Sequence, residues 1–191
     1  MLHNTSHTLS TEAIAIMMES LSKNPEWLVD VVKASPTDVK EITQFLQNEW
    51  KIKQLIFVRW GLVMVYFERD LYRNPDQDLN TLWWDYVEKF QLVNRPAGRN
   101  EPDWAAKIHI ATSPVYYQNY LYGQMVAAQL LKYIQDHVGN GRLYENPDLG
   151  NYLIERYFKS GRKYDWNTTL QNATGESLNP EKYARELTIG E

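Results

Sequence analysis

From Thr37 to Tyr72 the chain contains no proline and one glycine, Gly61, while apolar residues recur every three or four positions. That spacing is the period of a helix with one side turned towards a core. Val39, Ile42, Phe45, Leu46, Glu49, Trp50, Ile52, Lys53 and Ile56 trace one stripe, and Leu62, Val65, Tyr66, Arg69 and Tyr72 extend it. A helix over 37–72 would be roughly 54 Å long at ~1.5 Å per residue. A rod of that length in a chain of 191 residues suggests a larger architecture of which this chain is a part. Gly61 costs such a helix about 1 kcal/mol relative to alanine, and it marks a close crossing.

The remaining chain is punctuated by Asn24-Pro25, Ser35-Pro36, Ser113-Pro114, Asn146-Pro147 and Asn179-Pro180. In each pair a short polar side chain precedes the residue best suited to the first helical position. Asn74-Pro75 ends the long helix and leads, through Asp76 or Asp78 as cap, into the next. Helices are expected over 11–22, 26–33, 37–72, 78–91, 114–136, 147–159, 166–173 and 180–186. No stretch sustains the period of two that a strand requires. The expected fold is all-α, a multi-helix array with one long central helix, forming a single all-helical domain over 1–191.

With 43% apolar and 13% aromatic residues, the chain has the means to bury a core. Its formal charge of −4 provides no basic footprint, which excludes nucleic acid as the expected partner. Having no cysteine, it has neither a disulfide frame nor thiol chemistry. The first eleven residues, MLHNTSHTLST, lack the basic and apolar regions of a signal peptide. The longest apolar-rich run, Leu55 to Phe67, contains Arg59 and is too short to span a bilayer, so a soluble chain is expected.

Chemistry concentrates in WAAKIHIATSPVYYQNYLYGQ, residues 104–124. Ser113 as N-cap and Pro114 at the first position predict a helix to about Asp136. Tyr117 and Tyr120 are three apart and Tyr116 and Tyr120 four apart, which places their phenols on neighbouring positions of one face. Lys107 and His109, two apart in a short extended run, point the same way. Phenol donors at a helix start, with a lysine and a histidine before them, suit a carboxylate or a developing oxyanion. A wet, aromatic-rich helix start with a snorkelling lysine fits the same composition. Trp83, Trp84 and Tyr86 read as packing anchors, and His137 as a structural cation near a helix end.

Glu12 opens the first expected helix in STEAI, followed by Ile16, Met17, Met18 and Leu21 at core spacing. Read alone, it is a first-turn acid complementing the helix dipole. His3 and His7 have helical spacing, and with Glu12 they make a loose metal-binding alternative. They lack the glutamate after the first histidine that would activate water, so they belong to the loop leading into the helix.

Three segments together carry a family resemblance: Glu12-Ala13-Ile14, the run FERDLYRNPDQDLNTLWWDYVEKFQ, and Lys107-x-His109 followed by Pro114 and Tyr117-x-x-Tyr120. They resemble the carboxyl-terminal part of the angiotensin-converting-enzyme-like peptidyl-dipeptidases, zinc metallopeptidases, and most nearly their bacterial branch. The resemblance is strongest from Arg59 to Gln129. It implies that Glu12 is the third zinc ligand. Lys107 and Tyr117 would bind the free carboxylate of a peptide substrate, His109 would hold its backbone and the transition state, and Tyr120 would donate to the oxyanion. The spacing from His109 to Tyr117 is one residue longer than in the animal enzymes, so Tyr116 is the alternative to Tyr117. Two departures stand out. Ile16 replaces a common aspartate partner of the ligand glutamate, and Asn119 replaces a chloride-binding arginine.

The resemblance also implies a missing N-terminal half carrying a His-Glu-x-x-His helix with two histidine ligands and the general base. The chain alone would then hold zinc below stoichiometry and not hydrolyse peptides. The expected function is the substrate-binding half of a peptidyl-dipeptidase or carboxypeptidase acting from the peptide C-terminus. The alternative is a non-catalytic helical peptide-binding module derived from one. A homodimer through an exposed apolar face is a further expectation. The parent family is often secreted or periplasmic.

Overall fold

The computed structural model describes residues 4–188, and every regular element among them is helical. In chain order they are α1 (Thr8–Glu19), α2 (Pro25–Asp30), α3 (Pro36–Arg73), α4 (Leu79–Tyr86), α5 (Ile108–Thr112), α6 (Gln118–His137), α7 (Pro147–Tyr152), α8 (Trp166–Thr174) and α9 (Glu181–Leu187). Short 3-10 turns cover Ser20–Lys23 and Asp103–Ala106, and π-helical turns extend α4 over Val87–Gln91 and α7 over Leu153–Phe158. No helix among the described residues is long and apolar enough to cross a membrane.

Local chemistry accounts for most of these boundaries. Asn24 accepts from the Trp27 amide at 2.9 Å to start α2, and Asp78 accepts from the Thr81 amide at 3.0 Å to start α4. Asn146 and Asp165 cap α7 and α8 in the same way, so groups otherwise left without intrahelical partners are satisfied. The long helix α3 extends one residue beyond expectation at each end.

α2 ends at Asp30, three residues before the expected end, and two further differences bear on the proposed site residues. α1 begins at Thr8, with the His7 imidazole Nδ1 as cap accepting from the Leu9 amide at 3.3 Å. Glu12 therefore lies in the second turn and is not a first-turn acid. His3 lies outside the described residues, so the proposed His3–His7 pair has one described member, and that member caps a helix. The second difference is at Ser113-Pro114, which begins no helix. Lys107–His109, expected as extended, enters α5 instead, and α6 starts at Gln118.

The chain divides into two compact units, Met1–Lys51 with Tyr122–Glu191, and Ile52–Leu121. In the first, Leu9, Ala13 and Met17 of α1 bury themselves with Val126, Leu130 and Ile134 of α6 and with Leu149, Leu153, Tyr157 and Leu170. Met18, expected in the core, is exposed. Gly123 makes the close approach possible, because a Cβ there would lie 3.0 Å from Cβ of Glu12. Ile42 and Phe45 of α3 face outwards, and Phe45 is 65% exposed.

In the second unit Val63, Met64 and Phe67 of α3 pack on Trp83 and Val87. The buried face is thus one residue away from the expected stripe of Leu62, Val65, Tyr66, Arg69 and Tyr72. Trp83 meets Phe67 and Trp60 edge to face at 5.1 and 5.8 Å, which is the packing role expected of it. Gly61 marks a tight contact, since a Cβ there would come within 2.8 Å of the Leu121 side chain.

Candidate functional site

The second unit gathers Lys107, His109, Tyr116, Tyr117 and Tyr120. The loop ahead of them is latched by arginines. Arg95 donates from its backbone to Glu88 and from its side chain to the carbonyl of Arg99, and Arg99 pairs with Asp103. That guanidinium is the main cause holding the Asp103 carboxyl below the usual range, with the Trp84 indole N–H a lesser donor. The Asp103–Ala106 turn then delivers Lys107, which leads into α5 in an extended conformation.

α5 lasts five residues and closes with the Ser113 amide on the His109 carbonyl at 2.9 Å. The chain next turns through Val115, whose φ is 56°. A β-branched residue in that region is strained, at a cost of about 1–3 kcal/mol. The Val115 amide donates to the Glu68 carboxylate at 2.5 Å, and this bond to a residue 47 positions away accompanies the failure of Ser113-Pro114 to start a helix. Tyr116 and Tyr117 are therefore presented from a turn, ahead of α6, and only Tyr120 lies in that helix.

Although α6 starts four residues later than expected, the rings converge. The His109 ring centroid lies 5.6, 5.0 and 5.8 Å from those of Tyr116, Tyr117 and Tyr120. His109 Nε2 and the Tyr120 hydroxyl are 3.3 Å apart, within hydrogen-bond reach, the donor being set by the imidazole tautomer. Tyr120 meets the rings of both Tyr116 and Tyr117 at 5.3 and 5.4 Å. Phe57 of α3 closes on Tyr120 edge to face at 6.1 Å.

Trp60 links the lysine to the tyrosines. Its indole N–H donates to the Tyr117 hydroxyl at 2.7 Å, and the Lys107 ammonium lies 5.0 Å from its ring centroid and 5.9 Å from that of Trp83. Each such cation–π contact is worth about 0.5–2 kcal/mol. Indole faces attract the ammonium without neutralising it, so the charge stays available to an anion. Tyr117 uses an oxygen lone pair to accept from Trp60, which leaves its own O–H proton to donate. Lys107 and Tyr117, sharing Trp60, thus offer a cation and a phenol donor, the two groups a carboxylate takes.

Trp60 and Phe57 carry no motif, and Glu68, although it lies in the run that carries the family resemblance, was given no role by the sequence reading. Their signal is spacing: 57, 60, 64, 67 or 68, and 71 recur at three and four along α3, the true inner face of this unit.

Glu12 belongs to the first unit, half-buried on α1 beside Gly123. A catalytic zinc takes three protein ligands and keeps one open position. No group of three His, Cys, Asp or Glu side chains able to hold a metal occurs among the described residues. The described residues therefore do not by themselves make a zinc site. Asn119 is buried with an unpaired amide oxygen and has no charge to offer an anion.

A family model described as angiotensin-converting enzyme matches residues 3–182. The chain is also similar to an angiotensin-converting enzyme of Theromyzon tessulatum, with 25% identity over 176 residues. The matched part is 86% of this chain and spans 28% of that protein's length.

Proposed function

Given that the chain belongs to the angiotensin-converting-enzyme family of peptidases, we propose that it binds the carboxyl end of a peptide. In this reading it corresponds to the carboxyl-terminal, substrate-binding part of a peptidyl-dipeptidase or carboxypeptidase of the bacterial type. The single observation carrying the proposal is the sharing of Trp60 by Lys107 and Tyr117. Lys107 supplies a compact positive charge to the terminal carboxylate, and the Tyr117 O–H donates to one of its oxygens.

Tyr116 packs on both His109 and Tyr120 and belongs to the same cluster of rings. His109 and Tyr120, within reach of each other, are the pair that would meet the peptide backbone one or two residues from its end and donate to an oxyanion there. Glu12 would be the family's zinc carboxylate, with the remaining ligands and the general base supplied by a partner segment. What this chain's own residues do is bind and orient the peptide.

The second reading is a helical peptide-binding module that does not catalyse. It is favoured by the fact that Lys107, His109, Tyr116, Tyr117 and Tyr120 lie in one compact unit, 52–121, where the histidine and tyrosine rings contact one another and Lys107 lies over Trp60.

Calorimetric titration with Ala-Ala-Phe as the free acid and as its C-terminal amide tests the shared core of both readings. The free acid binds at least about tenfold more tightly, a difference of ~1.4 kcal/mol, and Lys107→Gln abolishes the preference. Equal affinity for acid and amide would overturn the proposal. The chain alone leaves the peptide intact under both readings. Adding zinc and a segment carrying the His-Glu-x-x-His helix, followed by mass spectrometry, separates them: cleavage lost in Tyr120→Phe supports the first, and an intact peptide supports the module.

A further inference from the structure

The turn between α5 and α6 carries Tyr116 and Tyr117, and its backbone is held from outside. Val115 sits at φ 56°, which a β-branched side chain avoids, and that side chain is 58% exposed, so its own packing does little to keep it there. Both of its peptide groups are gripped. The carbonyl accepts from Nε2 of Gln118 at 2.5 Å, and the amide donates to Glu68 at 2.5 Å. Glu68 is 6% exposed on α3, and its second contact is the Tyr72 hydroxyl at 3.5 Å. A bond from a backbone N–H to a carboxylate is stronger than one between neutral groups.

Local sequence pulls the other way. Ser113-Pro114 is a helix-start pair. If Val115 relaxed to helical φ, residues 114–120 would continue into α6, and both tyrosine rings would rotate from where they now sit. The observed turn thus runs against the local helix preference, and a contact from α3 holds it.

We propose that Glu68 is a positioning residue of the peptide site: its carboxylate holds the Val115 turn in the left-handed form and so aims Tyr116 and Tyr117 at His109 and Trp60. The step from geometry to peptide affinity rests on the carboxylate-binding reading above; the step from Glu68 to ring placement does not.

The test uses the whole chain and two readouts. The His109 ring protons lie among three tyrosine rings and are shifted by their ring currents; their resonance, assigned by its loss in His109→Gln, reports ring placement in the native state. In Glu68→Ala this resonance moves towards that of an exposed histidine, and the free-acid peptide binds about tenfold more weakly. Glu68→Gln, which keeps a neutral acceptor and the same shape, gives smaller changes in the same direction and stands in if the alanine variant does not fold. Adding Val115→Gly to Glu68→Ala restores both readouts, because glycine adopts positive φ without a Cβ clash.

A residue that merely stabilises the fold would lower Tm and leave the native His109 resonance in place. An unmoved resonance in the Glu68 variants, or no recovery with Val115→Gly, would overturn the inference. If the wild-type chain binds no such peptide, the proposed function fails and the His109 resonance alone decides the role of Glu68.

Discussion

The indole N–H of Trp60 donates to the hydroxyl of Tyr117 at 2.7 Å across 57 positions of sequence, while the face of the same indole carries Lys107. One side chain of α3 thus fixes the orientation of the phenol and the position of the ammonium that are proposed to bind a carboxylate. Rigid placement reduces the ordering cost paid on binding.

Trp60→Phe keeps an aromatic face for Lys107 and removes the N–H donor to Tyr117. Free-acid peptide affinity falls by roughly fivefold, corresponding to about 1 kcal/mol for one hydrogen bond. Trp60→Ala also removes the platform and weakens binding further. Titration calorimetry measures both, and a phenylalanine variant as weak as the alanine variant would mean that the hydrogen bond carries the whole effect.

The donor set around Glu12 leads to an expectation about metal. The purified chain, dialysed against zinc and then buffer, retains well under one equivalent, because one described carboxylate falls short of the three protein ligands a catalytic zinc takes. Elemental analysis measures this, and one retained equivalent that disappears in Glu12→Gln would show a site completed in some other way.

Gly61 faces the Leu121 side chain too closely to accept substitution without movement. Gly61→Val overpacks the contact and destabilises the chain by about 1–3 kcal/mol. Thermal unfolding monitored by circular dichroism detects the loss; an unchanged Tm would mean that Leu121 yields at no cost.

Burial pushes the Glu186 carboxyl up to about 7 from its usual 4.5. The folded state therefore holds this proton more tightly than the unfolded state. As pH rises from about 4.5 to about 7, the unfolded chain ionises Glu186 first and gains stability relative to the folded one, so folding stability falls across that window. Glu186→Gln, which cannot ionise, raises Tm by roughly 2–5 °C at pH 8 and leaves it unchanged near pH 4. Differential scanning calorimetry at the two pH values decides it, and an equal effect at both would remove ionisation as the cause.

The all-α architecture, the span of α3 and the starts of α2, α4, α7 and α8 were legible in the amino-acid order. Each is set by groups within a few positions of one another: Asn24 on Trp27, Asp78 on Thr81, Asn146 on Asp148, and Asp165 on Asn167 and Thr168. The family resemblance was legible for the same reason, since Lys107, His109, Tyr117 and Tyr120 occupy one short stretch.

Other features were beyond local reading. The inner face of α3 at Val63, Met64 and Phe67, one residue from the expected stripe, was chosen by Trp83 and Val87, against which it packs. Met18 follows Met17 in sequence, yet α1 buries only the latter among its partners.

By itself, the order of residues determined which segments coil and which side chains stand close together along the chain, because caps and periodicity act over one or two turns. Only the tertiary structure decided that the turn at Val115 would break the helix promised by Ser113-Pro114, and that Trp60 would couple Lys107 to Tyr117. The partners responsible, Glu68 and Trp60, lie 47 and 57 positions away, and such contacts exist only once the chain has folded back on α3.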